Sequence, residues 1–243
     1  MKITFGVCTY NRKEILVRSA KSLCAIDGIE KASIRVYDDH SSDLNTDGLQ
    51  SLFPNAKSII VRPQNFGADM NTALMFEDFL TTGDDYLVIA DADLIYRTDC
   101  LKIIEELIPE TDGFFSLFNT PAHPTKRVIS SLLVEKDYVG AAGCCIHRSL
   151  IYKIKKQVED TNSFFDWKFC DCLRNNGIRI LTTKDSIVQH IGGSGQNSQY
   201  IYFDYGIGFR CDSLENSQCI EDLFEAHMCK VYQIGDLFKK NQS

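Results

Sequence analysis

Short apolar runs rich in β-branched residues alternate with amphipathic segments along the first half of the chain. The runs cover residues 3–8, 34–37, 58–61, 86–90 and 113–118, and their length and residue types are typical of buried β-strands. The segments between them repeat apolar residues at helical spacing. This alternation predicts an α/β fold with a mostly parallel central sheet and helices on both faces. Ligands of such sheets bind at the carboxyl ends of the strands.

Three helices are predicted between these strands. The first is expected to begin at Asn11, with Glu14 completing a capping box. The second is expected to open at Asp69 and to turn Met70 inward with the apolar residues that follow at helical spacing. The third is stopped by Pro109, since proline cannot continue a helix.

Fewer regular elements are predicted for the second half of the chain. We expect a strand over residues 138–147, a helix from about residue 149, a helix over residues 165–176, and short strands over residues 178–181 and 187–190. One or two helices are predicted in the tail. Because the sequence contains neither a repeat nor a linker-like change in composition, we expect one domain over residues 1–195 and a C-terminal extension over residues 196–243.

Composition excludes several classes of protein. The 243 residues include 33 acidic and 26 basic side chains, for a net charge of −7, which argues against broad nucleic-acid binding. The 10 cysteines include no CxxC pair, which argues against a zinc ribbon. The first residues do not resemble a secretory signal, and the longest apolar run, residues 139–146, is too short to span a membrane. We therefore expect a reduced, cytoplasmic compartment.

Two carboxylates follow the most apolar strand. Asp91 and Asp93, separated by Ala92, come directly after residues 86–90, and the alternation of side chains along an extended chain puts both on the same side. Carboxylates this close repel each other, and a hard divalent cation relieves that repulsion while leaving positions open for phosphate oxygens. A pair of solvated turn aspartates is the alternative interpretation.

Polar groups also follow the other predicted strands. Asp39 is suited to accept hydrogen bonds from a base or a ribose, although the following residues 41–43 are equally suited to capping a helix. His190 precedes a glycine-rich turn over residues 192–195; an imidazole suits a transition-metal-like cation, and glycine backbone can approach a diphosphate closely. A structural histidine beside a plain turn is the alternative. A hydroxyl, an aromatic ring, an amide and a guanidinium follow the first strand, in Thr9, Tyr10, Asn11 and Arg12.

Asp166 lies at the start of a predicted helix, beside Trp167. Apolar neighbours would raise its pKa, and a carboxylate in an open cleft can take a proton from an incoming hydroxyl. Interaction with the helix dipole is the alternative role.

Taken in order, these segments resemble the nucleotide-sugar-dependent glycosyltransferases of the GT-A fold, in particular glycosyltransferase family 2. The resemblance spans about residues 3–195. It rests on residues 5–12, 36–43, 65–68 with Asn71, 91–93, 140–145, 166–169 with Leu173 and Gly177, and His190. It implies a catalytic domain with a nucleotide-sugar half, about residues 1–95, and an acceptor half, about residues 96–195.

The resemblance also implies a role for each group of residues. Asp93 and His190 would bind Mn²⁺ or Mg²⁺, and Asp91 would do so directly or through water. Asp166 would be the general base of an inverting transfer. Phe165 stands where the family usually has a Glu, and Lys168 and Cys172 stand where its motif has an Asp and an Arg. The donor nucleotide would be bound by Thr9, Tyr10, Asn11, Arg12, Asp39, Asn65, Gly67, Asn71, Asp91 and Ala92.

The activity implied by the resemblance is transfer of a sugar from a nucleotide-diphosphate donor, UDP-linked by preference, to a saccharide or glycolipid acceptor in polysaccharide synthesis. The extension over residues 196–243 would serve the acceptor side, contact the inner face of a membrane, or form a homodimer.

Three alternatives stay open. One is a degenerate member that binds nucleotide sugar or glycan without transfer. Another is a nucleotidyltransferase, although the first strand-helix turn lacks a glycine-rich loop with a trailing basic residue. The third is a dinucleotide oxidoreductase, which the absence of GxGxxG disfavours.

Overall fold

The computed structural model describes residues 1–159, 165–193 and 204–240. Its strands are β1 (Ile3–Thr9), β2 (Ser33–Asp38), β3 (Ala56–Val61), β4 (Tyr86–Asp91), β5 (Leu94–Tyr96), β6 (Phe114–Ser116), β7 (Thr125–Val128), β8 (Leu133–Lys136), β9 (Cys144–His147), β10 (Ile180–Thr183) and β11 (Val188–His190). Its α-helices are α1 (Lys13–Cys24), α2 (Thr46–Leu52), α3 (Ala68–Thr81), α4 (Cys100–Leu107), α5 (Arg148–Glu159), α6 (Phe165–Asn175) and α7 (Leu214–Lys240).

Nine of these strands form one sheet in the order β3-β2-β1-β4-β9-β6-β10-β8-β7. The four strands from the N-terminal half are parallel. Strand β9 runs antiparallel between β4 and β6, and β8 and β7 complete the far edge as antiparallel strands. Strands β5 and β11 form a separate antiparallel pair. The predicted α/β fold built on a large central sheet is confirmed.

Helices cover both faces of the sheet, as predicted. One apolar cluster packs the sheet against α1, α2 and α4, and a second packs it against α3, α5 and α6. Along β4, Val88 and Ala90 belong to the first cluster and Leu87 and Ile89 to the second. A strand buried on both faces is continuously apolar, and β4 therefore delivers its polar residues only where it ends, at Asp91.

The start of α1 differs from the prediction. The helix begins at Lys13, and both Asn11 and Arg12 lie in the left-handed region, with φ of 52° and 55°. Asn11 does not cap the helix, because its side-chain oxygen accepts a hydrogen bond from the backbone of Ser42 instead. The carboxylate of Asp43 takes the capping role by accepting from the N–H of Lys13. The loop after β2 therefore closes the N-terminus of α1.

Two other predictions are wrong in detail. Met70 is 43% exposed, because the first turn of α3 borders the carboxyl edge of the sheet and does not lie over it. The strand predicted over residues 138–147 forms only at its end, as β9, because the preceding loop bonds to α6: the N–H groups of Val139 and Ala141 donate to Cys170 and Asp166.

In the described part of the tail, residues 204–240, one helix forms, α7. The predicted boundary between residues 195 and 196, and the last two residues of the glycine-rich turn, lie outside the described residues. Within the described residues, none of the helices has the length and apolar character that crossing a bilayer requires.

Candidate active site

A cavity of about 610 Å³ opens at the carboxyl ends of β1, β2 and β4. Every residue predicted for donor or metal binding lines it: Thr9, Tyr10, Asn11, Arg12, Asp39, Asn65, Gly67, Asn71, Asp91, Ala92, Asp93 and His190. Its lining also includes Cys8, Ala68, Thr72 and Gly192. The first three were given no role from the sequence: Cys8 and Ala68 fall within segments that carry the family resemblance, and Thr72 adjoins Asn71. The topology thus gathers segments that are far apart in sequence.

Asp93 is the centre of charge in this cavity. It is 4% exposed; one oxygen lies 2.9 Å from Nη2 of Arg12 and the other 3.2 Å from Nε2 of His190. Burial alone would raise the pKa of Asp93, but the charges of His190 and Arg12 and their hydrogen bonds outweigh it and hold the pKa at about 2. Asp93 is therefore an anion at neutral pH.

The pairing of β5 with β11 brings His190 to Asp93. His190 is opposite Leu94 in the ladder, and the N–H of Ile191 donates to the carbonyl of Asp93. Burial lowers the pKa of His190, but the charge of Asp93 and its hydrogen bond more than offset this, and the net direction is upward. A Cβ added to Gly192 would lie 2.3 Å from Oδ2 of Asp93, so only glycine fits against this pair.

The environment of Asp91 shifts its pKa in the opposite direction to that of Asp93. Burial, followed by the nearby negative charge of Asp93, raises its pKa to about 7. A carboxylate held this close to a second anion favours any added positive charge. The two aspartates predicted to act together therefore differ in protonation, and the pair is arranged to gain from a cation.

Arg12 is positioned by a chain of hydrogen bonds from the loop after β2. The buried carboxylate of Asp38 accepts from the N–H and the hydroxyl of Ser41, at 2.9 and 2.5 Å. The same hydroxyl is 2.7 Å from the N–H of Asn11, which donates to it, and Asn11 in turn accepts from Ser42 at 2.8 Å. Two consecutive left-handed residues other than glycine are costly, and these bonds offset that cost.

Asp39 and Asn71 support the cavity wall. The two oxygens of Asp39 accept from the N–H groups of Phe66 and Gly67, at 2.9 and 2.8 Å. The amide of Asn71 donates to the carbonyl of Tyr37, and its oxygen accepts from Nε of Arg62. Both side chains are almost fully buried. They line the cavity while holding the loop between β3 and α3 in place.

Asp166 lies beside this cavity and does not line it. Its Oδ1 accepts from the N–H of Ala141 at 3.2 Å. Burial, with a contribution from the charge of Asp69, outweighs that bond and raises the pKa of Asp166 to about 6. Its own charge helps to raise the pKa of Asp91, which places the predicted base within electrostatic range of the predicted metal site.

The donor set fits a divalent ion held jointly with a substrate. Among residues 1–159, 165–193 and 204–240, no three His, Cys, Asp or Glu side chains form a complete metal site. However, Oδ1 of Asp93 is buried without a well-formed hydrogen bond, next to an imidazole and a second carboxylate. Mg²⁺ is typically held by one or two carboxylates together with substrate phosphates and water, and the residues present match that pattern.

The sequence matches the profile described as Glycosyl transferase family 2 over residues 4–175. No curated protein matches the chain in sequence.

Solved structures of similar fold include S. aureus TarS 1–349 in complex with UDP-GlcNAc, at a TM-score of 0.59 and 16% identity, covering 77% of this chain and 58% of that one. The mannosyltransferase PcManGT from Pyrobaculum calidifontis, in complex with GDP-Man and Mn²⁺, aligns at a TM-score of 0.60 and 18% identity, covering 82% and 59%. GalNAc-T7 with UDP, GalNAc and Mn²⁺ aligns at 0.60 and 9%, covering 75% and 42%. The chain thus spans less than two thirds of each, and the shared fold is that of GT-A enzymes.

Proposed function

The chain belongs to glycosyltransferase family 2, and we propose that it is a metal-dependent, inverting enzyme. In this proposal a sugar moves from a nucleotide-diphosphate donor to a hydroxyl of a saccharide or glycolipid acceptor. The observation that carries the proposal is the cluster of Asp93, Arg12, His190 and Asp91 at one end of the cavity. A volume of about 610 Å³ lies within the roughly 300–1,000 Å³ typical of small-molecule sites.

Arg12 is the group best suited to the donor diphosphate. A guanidinium recognises phosphate oxygens through two parallel hydrogen bonds, and here its backbone is fixed by Asp38, Ser41 and Asn11. In the structure Arg12 is paired with Asp93. Arg12 therefore neutralises Asp93 before the donor arrives and is free to turn to the diphosphate once another cation takes its place.

Asp93 and His190 would hold Mn²⁺ or Mg²⁺, with Asp91 binding directly or through water. When bound, the ion neutralises negative charge on the diphosphate leaving group. The buried Oδ1 of Asp93, which lies 3.2 Å from Nε2 of His190 without a well-formed hydrogen bond, and the raised pKa of Asp91 both support this assignment.

Asp166 is the proposed general base. Its pKa of about 6 leaves it ionised at neutral pH and still basic enough to accept a proton, which is the range in which general bases are efficient. The bond from Ala141 fixes the orientation of one carboxylate oxygen.

The proposed reaction is a single displacement. Asp166 takes the proton of the acceptor hydroxyl, and the acceptor oxygen forms a bond to the anomeric carbon while the bond from that carbon to the diphosphate oxygen breaks. The electron pair leaves with the nucleoside diphosphate, near Arg12. Attack opposite the leaving group inverts the anomeric configuration.

The proposal is tested with a panel of UDP-, GDP- and dTDP-sugars in the presence of Mn²⁺. UDP-sugars are the first choice, although similar folds bind UDP-GlcNAc in one protein and GDP-Man in another. We expect metal-dependent thermal stabilisation and nucleoside diphosphate release with one nucleotide class. A folded protein that binds none of them would contradict the proposal, and release of pyrophosphate from a nucleoside triphosphate would favour a nucleotidyltransferase.

A further inference from the structure

Trp167 is an exposed aromatic side chain next to the proposed base. It is the only tryptophan in the sequence, and it is 55% exposed. The apolar side of α6 is filled by Phe169, Cys170 and Leu173, which belong to the core cluster of the described residues, and Trp167 lies outside that cluster. Packing of the core therefore does not account for this large ring.

Tyr138 holds the ring of Trp167 in place. The two ring centroids are 4.9 Å apart, and the ring planes are tilted by 34°. The guanidinium of Arg174 lies 4.6 Å from the centroid of the Tyr138 ring and donates to its hydroxyl at 2.9 Å. The same hydroxyl donates to Asp171 at 3.0 Å. An aromatic surface that is fixed in this way before binding loses little conformational entropy when a ligand covers it.

The loop between β8 and β9 contacts both Trp167 and the proposed base. Tyr138 of this loop packs against Trp167, and Ala141 donates its N–H to Asp166. Because Asp166 and Trp167 are consecutive, their Cα atoms are about 3.8 Å apart, and their side chains leave the helix about 100° apart. The carboxylate thus lies against the loop, and the aromatic ring lies beside it at the surface.

A sugar ring has the chemistry that fits this surface. The C–H groups of a pyranose form an apolar face, while its hydroxyl groups lie around the edge. The face of an indole carries partial negative charge, which attracts hydrogens that point at it. Charged groups surround the aromatic pair, since Arg174 lies 2.6 Å from Asp171 and 3.7 Å from Asp137. Carboxylate and guanidinium groups can accept from and donate to sugar hydroxyls.

We infer that Trp167 and Tyr138 form a stacking platform for a sugar ring of the acceptor. The platform holds the saccharide so that one of its hydroxyls reaches Asp166, the neighbouring residue. This inference rests on the proposed function, because it takes Asp166 as the base that the acceptor must reach. It adds a binding site for the acceptor, which lies apart from the donor cavity, since Trp167 is not among the described residues that line that cavity.

A lipid bilayer is the competing occupant, because tryptophan is also enriched at membrane interfaces. The charges beside the platform favour the saccharide. Asp137 and Asp171 are both about half exposed. Carboxylates at this place would be repelled by an anionic lipid surface, whereas they accept hydrogen bonds from sugar hydroxyls.

Tryptophan fluorescence of the full chain is the direct test, because Trp167 is the only residue that gives this signal. The probes are cellobiose, lactose and N,N′-diacetylchitobiose, each titrated in the millimolar range with and without Mn²⁺ and UDP. We expect a saturable blue shift of the emission with at least one of them, because a stacked sugar displaces water from the indole. An emission spectrum that no saccharide changes would overturn the inference. So would a shift produced by phosphatidylserine vesicles and by none of the saccharides.

Variants are compared by calorimetry with the saccharide that gives the shift. Trp167→Ala should weaken its binding about tenfold, whereas Trp167→Phe, which keeps a flat ring, should retain most of it. Tyr152→Ala is the matched control, since Tyr152 is an exposed aromatic residue of α5, and it should bind the saccharide normally. Equal binding by Trp167→Ala and the unmodified chain would overturn the inference.

Titration of UDP with Mn²⁺ separates this inference from the proposed function. Trp167→Ala should bind UDP as the unmodified chain does, and in transfer assays it should raise the acceptor KM about tenfold with little change in slow hydrolysis of the donor. An unmodified chain that binds UDP with Mn²⁺ and no saccharide would contradict the platform alone. A chain that binds a saccharide at Trp167 and no nucleotide would contradict the proposed donor site and leave the platform standing.

Discussion

Replacing Asp166 by Asn tests the proposed base through stability as well as activity. Burial is the main reason that the pKa of Asp166 rises from 3.8 to about 6. A raised carboxyl pKa means that the ionised form is disfavoured in the folded protein relative to the unfolded chain. At about 1.36 kcal/mol per pH unit, this difference corresponds to about 3 kcal/mol of lost stability at neutral pH.

The pH dependence of this effect has a definite sign. Below about pH 4 Asp166 is protonated in both states, and the cost is absent. Between about pH 4 and 6 only the folded state keeps the proton, so this contribution to stability falls as pH rises; above about pH 6 it is constant. Asn has the same shape without the charge. Asp166→Asn should therefore be more stable than the unmodified protein by about 1–3 kcal/mol at pH 7 and nearly equal to it at pH 4.

Activity should change in the opposite direction. Loss of a general base typically lowers kcat by about 10²–10⁴-fold, and kcat/KM of the unmodified enzyme should fall about tenfold per pH unit below about pH 6. Urea unfolding at several pH values and steady-state kinetics measure both effects. Asp171→Asn, on the same helix, is the control and should show neither. An Asp166→Asn variant that is active within a few-fold, or that is less stable than the unmodified protein at pH 7, would refute the role given to Asp166.

Two further substitutions test how the site is built. Gly192→Ala places a Cβ 2.3 Å from Oδ2 of Asp93 and should lower Mn²⁺-dependent UDP affinity at least tenfold by calorimetry. Gly83→Ala, whose added Cβ would have no atom within 4 Å outside the adjacent residues, should change nothing; equal effects of the two would contradict the packing argument. Asp38→Asn removes one acceptor from the loop that positions Arg12, and the KM for the donor should rise about tenfold with a smaller change in kcat. An unchanged KM would show that Arg12 does not depend on that loop.

The N-terminal half of the sheet could be predicted because its strands are buried on both faces. Strands such as β4 are continuously apolar over residues 86–90, and the pattern stops where the site begins. The helix predicted over residues 165–176 is found as α6, and Gly177, which follows it in sequence, has a positive φ of 75°. In these elements the residue types themselves indicate which positions are buried and where each element ends.

The far edge of the sheet could not be predicted in this way. Strand β7 is exposed throughout, and β8 buries Lys136, whose ammonium group donates to the carbonyls of Thr120 and His123. Burial outweighs the charge of Asp204 and lowers the pKa of Lys136 to about 8. Because this strand buries a lysine whose hydrogen bonds go to carbonyls elsewhere in the chain, its sequence lacks the apolar pattern by which a buried strand is recognised.

The sequence predicted residues that line the cavity, but not the hydrogen bonds and ion pairs that join them. The strand ends located Asp91, Asp93 and His190, yet the sequence predicted Asn11 as a helix cap. Tertiary hydrogen bonds from the loop after β2 overrode that local preference. The pairing of Arg12 with Asp93 joins residues that are 81 positions apart in the sequence, and no local pattern encodes such a contact.

The most direct test of the metal-dependent donor site is calorimetric titration of UDP with and without Mn²⁺. The unmodified protein should bind UDP at least tenfold more tightly with Mn²⁺, and Asp93→Ala should remove that difference. Asp85→Ala, at the opposite end of β4, should retain it. If Asp93→Ala keeps the full effect of Mn²⁺ while folded, Asp93 does not hold the metal and the account of this site is contradicted.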